Sequence, residues 1–97
     1  MEKDKPGNSI SKQEFQKMRK KFDDKNPGKT QAVIFDKEIF KHILDNPATD
    51  KVAIYMGEYD DDTNTVMAVG LSETSVILYE TAANKGQPCP PYCGKDQ

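Results

Sequence analysis

The chain has 97 residues, 35% of them hydrophobic and 31% charged, with a formal net charge of −2. That length matches one small domain, which excludes a two-domain enzyme with a cleft between its halves and leaves material for a single core. No apolar run approaches the ~18 residues of a membrane-spanning helix, and the opening Met1-Glu-Lys-Asp-Lys-Pro-Gly lacks the apolar stretch of a signal peptide. A cytoplasmic chain is expected, or an exported one if a leader has been removed.

Residues 1–9 are polar and contain Pro6, Gly7 and Asn8, so they read as a flexible arm before a domain spanning 10–86. Ser11 and Glu14 have the spacing of a capping box, in which hydroxyl and carboxylate each satisfy an orphan backbone N–H. Ile10 and Phe15 occupy the two positions of a hydrophobic staple. Phe15, Met18 and Phe22 then recur at helical spacing and predict a buried stripe, with Lys17, Lys20 and Lys21 facing water. Asn26-Pro27-Gly28 ends this first helix.

Residues 1–29 carry nine basic and five acidic side chains, whereas the remainder carries five basic and eleven acidic. Such asymmetry can mark a nucleic-acid surface. Here the acidic residues interleave with the basic ones, and Phe15 and Phe22 are accounted for by the stripe. A solvated helix face is therefore the expectation, not nucleic-acid binding.

Ala32-Val33-Ile34 can be a strand or an extended lead-in to a second helix. That helix has Asp36 as N-cap, Phe35 and Phe40 at the staple positions, and a buried stripe of Ile39, Phe40, Ile43 and Leu44. Asp45-Asn46-Pro47 stops it, because a residue before proline is pushed out of helical dihedrals. His42, the sole histidine, points ~130° from the stripe centre and is a poor candidate for a base.

After Pro47 the period changes to two. Val52, Ile54 and Met56 alternate with Ala53, Tyr55 and Gly57; the polar turn Asp60-Asp61-Asp62-Thr63-Asn64 leads to Thr65–Leu71, which together predict a β-hairpin. Ser75–Tyr79 predicts a third strand, with a helix over 73–83 as the alternative. The expected fold is therefore α+β: two N-terminal helices packed on a three-stranded antiparallel meander, with a Pro/Cys-rich tail over 87–97. If Val52, Ile54, Met56, Met67, Val69, Leu71, Val76 and Leu78 meet the helices, the other face still carries Ala53, Tyr55, Tyr59, Val66, Ala68, Ile77 and Tyr79. The tail or another chain should cover that second face.

The acidic turn partly matches an EF-hand loop, with Asp60, Asp62 and Asn64 at its first three alternating ligand positions. The sixth position is Thr65 instead of glycine and the twelfth is Leu71 instead of glutamate, so no calcium site is expected. Phosphate-binding glycine loops, a nucleophile elbow and paired histidines are likewise missing, and no enzymatic activity or cofactor is expected.

The tail Gln87-Pro88-Cys89-Pro90-Pro91-Tyr92-Cys93-Gly94 holds both cysteines. It differs from the redox motif of glutaredoxins by one extra residue between the thiols, and only four residues follow the second one, so no helix can lower a thiol pKa there. In polyproline II conformation the two Cα atoms would stand ~12 Å apart, whereas a disulfide needs at most ~6.8 Å. A disulfide would therefore need a bend, such as a cis bond between Pro90 and Pro91. Free thiols are the expectation in a reducing cytoplasm.

With this tail in view, the chain resembles a group of short bacterial proteins that end in a Cys-Pro-Pro-Tyr-Cys-type segment after a hydrophobic hairpin. The likeness runs from about Ile10 to Cys93 and implies a bacterial source and one small domain. That group has no known activity, so the resemblance carries over no functional residue.

The functional expectation is a small non-enzymatic interaction module with an unidentified protein partner, a homodimer through an unpaired strand edge being one form. Its binding residues would be Tyr55, Tyr59, Tyr79, Pro90, Pro91 and Tyr92, on the tyrosine-bearing sheet face and the stiff tail. The alternative is a thiol redox switch or metal-capture element using Cys89 and Cys93. No cofactor, nucleic-acid or membrane partner is expected.

Overall fold

A computed structural model describes residues 5–95, so the expected arm and tail lie outside it at residues 1–4 and 96–97. The chain order is α1 (Lys12–Lys25), β1 (Ala32–Ile34), α2 (Lys37–Asp45), β2 (Lys51–Glu58), β3 (Asn64–Leu71), β4 (Ile77–Ala83) and β5 (Gln87–Cys89). It is a mixed α and β fold in which a strand separates the two helices. Among the described residues, no helix is long and apolar enough to cross a membrane.

Both helices start where their caps place them. The Ser11 hydroxyl accepts the Glu14 N–H at 3.0 Å, and Asp36 Oδ1 accepts the Glu38 N–H at 2.9 Å. At α2 the staple is formed, with Phe35 and Phe40 meeting edge to face at 5.9 Å between centroids. Past its end, the Thr49 hydroxyl donates to the Ile43 carbonyl at 2.8 Å, satisfying one of the orphan acceptors of the last turn.

Strands β2, β3 and β4 form one antiparallel sheet in that order, and β1 and β5 form a separate two-stranded ribbon. In the hairpin Ile54 pairs with Ala68 and Met56 with Val66. Partners across a ladder point to the same face, so one face carries Val52, Ile54, Met56, Val66, Ala68 and Gly70. The other carries Ala53, Tyr55, Met67, Val69 and Leu71. This corrects the expected division, which grouped Val52, Ile54 and Met56 with Met67, Val69 and Leu71. The pairing differs by one residue, and a period of two converts that slip into an exchange of faces.

The third strand forms as expected in place of the helix over 73–83, but it starts at Ile77 because Ser75 adopts a positive φ of 67° in the preceding turn. Its ladder is interrupted, with a register shift between Ala68 and Gly70. Helix α2 approaches the face that bears Gly70. A Cβ there would lie 2.6 Å from Thr49 Oγ1, so only glycine lets the end of α2 come this close. Ile43 and Ala68 are fully buried in the resulting core. Truncating a buried isoleucine of this kind to alanine costs about 2–5 kcal/mol.

Two helical expectations fail. Leu44 is 61% exposed, because α2 lies over β3 and β4 with Ile43 inward and Leu44 one step round the helix. No residue of α1 is buried: Phe15, Met18 and Phe22 are 54%, 58% and 45% exposed. Its stripe exists at the expected spacing but covers no sheet.

Candidate functional site

The tail folds back, although not across the tyrosine-bearing face. Val33 pairs with Pro88 and Ala32 with Cys89, while the Gln31 N–H donates to the Cys89 carbonyl at 2.7 Å. Proline has no N–H to offer, and a two-stranded ribbon tolerates it. Gly86 leads into this pairing under close constraint: a Cβ there would run into Val33 Cγ1 and sit 2.8 Å from the Ile34 carbonyl oxygen.

The cysteines are joined as a disulfide, Cys89–Cys93, instead of the expected free thiols. The tail turns within those few residues: the Tyr92 N–H donates to the Pro88 carbonyl at 3.0 Å, and the Cα atoms stand 4.8 Å apart instead of the ~12 Å of an extended segment. The peptide bonds before Pro90 and Pro91 are both cis. Cys89 is buried, whereas Cys93, Pro90, Pro91 and Tyr92 are exposed.

Of the six expected binding residues, only Tyr59 and Pro90 line a common cleft among the described residues. It has a volume of about 270 Å³ and lies between the β1–β5 ribbon and the turn end of the hairpin. Thr30 ties the two sides by donating its hydroxyl to the Asn64 carbonyl at 3.4 Å. The Tyr59 hydroxyl accepts from Thr65 Oγ1 and donates to Asn84 Oδ1, each at 3.4 Å, and Lys85 Nζ stands 5.3 Å from its ring centroid. Tyr59 is therefore a joint between elements. Tyr55 and Tyr79 are exposed on strand surfaces and Tyr92 on the tail.

At the turn itself Asp61 Oδ1 accepts the Thr63 hydroxyl at 2.7 Å and its N–H at 3.1 Å. These two bonds hold the Asp61 carboxyl below its ordinary range. Asp61 is thus engaged in shaping the hairpin. His42 is exposed on α2, and no three His, Cys, Asp or Glu side chains come together among the described residues in a way that could hold a metal ion.

Sequence reasoning missed an exposed apolar row on α1. Ile10, Phe15, Met18 and Phe22 line a shallow depression of about 340 Å³ together with Arg19, Asp23 and Gln31. A second row runs along β2, where Ile54 is 55% and Met56 74% exposed on the face that α2 covers only over β3 and β4. The signal for the first was its width: three apolar positions in fourteen residues, with basic residues on both sides, are few for a core-facing helix.

Comparison with family models, curated proteins and solved structures finds no match to this chain.

Proposed function

We propose that the chain is a small interaction module that works by binding a protein partner and carries no catalytic activity. The observation that supports this most is the uncovered row on α1. Three large apolar side chains, each about half exposed, recur on one face of a helix that buries none of its own residues. Each is already about half buried, so covering the rest would gain roughly half of the ~1.5–3 kcal/mol of full burial per side chain. Anchors of this spacing suit a helix laid into an apolar groove.

Affinity capture tests the reading, comparing the full chain with a Phe15→Ser/Phe22→Ser variant that keeps the sheet. A protein retained by the first and lost by the second supports it. Identical capture by both removes α1 from the proposal.

The Cys89–Cys93 disulfide favours a second reading, a thiol switch acting on the β1–β5 ribbon, since reduction would free the loop that ends β5. Thiol counting on protein isolated anaerobically separates the two. A labile bond or co-purified metal favours the switch, and a pair that resists reduction favours the module.

A further inference from the structure

We propose that the occupant of the α1 stripe is a second copy of this chain, with each copy laying its α1 across the bare β2 row of the other in a two-fold exchange. This rests on reading the exposed rows as a binding surface and names the partner.

The two rows are complementary within one sequence. On β2, Ile54 and Met56 point to the same face and the row ends at Glu58, next to Asp60, Asp61 and Asp62 of the turn. On α1, Phe15, Met18 and Phe22 are flanked by Arg19 and Asp23 on one side and Glu14, Lys21 and Lys25 on the other, and the helix as a whole carries six basic and three acidic residues. An apolar stripe on a net basic helix thus meets an apolar strip with an acidic end. The lengths agree: fourteen helical residues span ~21 Å and eight strand residues ~27 Å.

Surface area points the same way. The chain exposes 8100 Å², whereas a folded monomer of 10.9 kDa is expected to expose ~5600 Å². Its radius of gyration is 15.3 Å against ~12.5 Å for a compact domain of this length. Part of the excess belongs to residues 5–10, which are exposed and outside any helix or strand. The remainder is ample for the ~800 Å² per partner of a stable interface. Between α1 and β1 lies the turn Asn26-Pro27-Gly28, with Gly28 at a φ of +78°. Exchange of identical elements between protomers is a low-cost route to dimers.

Sedimentation equilibrium on the full chain tests this. The expected result is a dimer that dissociates in Phe15→Glu/Phe22→Glu, with the hairpin unchanged by NMR. Arg19→Glu/Lys21→Glu should weaken association about tenfold, and adding Glu58→Lys/Asp60→Lys in the same chain should restore it. Carbodiimide crosslinking of mixed heavy- and light-isotope chains should join Lys21 of one copy to Glu58 or Asp60 of the other.

A monomer at all concentrations overturns the proposal, including one in which α1 has folded back on its own sheet. So does a dimer that survives both α1 variants, which would mean pairing through a strand edge. Binding to anionic vesicles by a monomeric chain would assign the stripe to a lipid surface and overturn it too. Any of these leaves the capture experiment above free to succeed or fail independently.

Discussion

The Thr81 hydroxyl accepts the Gly70 N–H at 2.8 Å and donates to the Leu78 carbonyl at 2.8 Å, standing in for ladder bonds where β3 and β4 lose register. Thr81 is 1% exposed and Gly70 is buried, so the Gly70 N–H has no water to turn to. Thr81→Val keeps the shape and removes both bonds. It should lower stability by about 2–3 kcal/mol, since each buried group left unpaired costs its desolvation. In thermal denaturation that is a fall of roughly 10–20 °C for a domain of this size. Thr81→Ser retains the hydroxyl and should lose far less; equal losses would contradict the assigned role.

The two helix caps should behave differently, because only one helix carries core residues. Asp36→Ala removes the acceptor for the Glu38 N–H on the helix that buries Ile43, and should cost global stability about 1 kcal/mol. Ser11→Ala should reduce helical signal in far-UV circular dichroism while leaving the unfolding midpoint of a monomeric variant nearly unchanged.

Removing the tail constraint should be felt through β1. By loop-closure entropy, the Cys89–Cys93 bond contributes about 2 kcal/mol for so short a loop. Cys89→Ala/Cys93→Ala should lower the midpoint accordingly. Deleting residues 87–97 also removes the partner of β1 and should lower it further, by several degrees. A truncated chain that melts like the intact one would show that the ribbon contributes nothing.

Acid should act on the hairpin turn through Asp61. Its folded pKa is held below the ordinary 3.8 by the Thr63 hydroxyl and N–H, so its contribution is present above the ordinary value and lost as pH falls through the folded one. Carbon-detected NMR titration should give Asp61 a midpoint below the ordinary carboxylate value. The destabilisation by Asp61→Ala should be constant above about pH 5 and shrink on acidification.

What the sequence by itself determined was local. Ser11 and Asp36 mark their helices, Phe35 and Phe40 form their staple, Asn46-Pro47 stops α2, and the change of period after Pro47 gives the hairpin, because each depends on residues within a few positions of one another. Tertiary structure decided everything that required comparing distant segments. Pairing Ile54 with Ala68 sets which side chains share a face, and the alternating pattern reads almost equally well one residue out, since both faces are apolar. Whether a stripe is core or surface depends on what lies opposite it: Ile43 finds Gly70 and Thr49 making room for α2, and Phe15, Met18 and Phe22 stay about half exposed beside Ile10 and Gln31. The tail's docking on β1 was equally unreadable, because a backbone ladder formed across more than fifty residues leaves little trace in the side chains that form it.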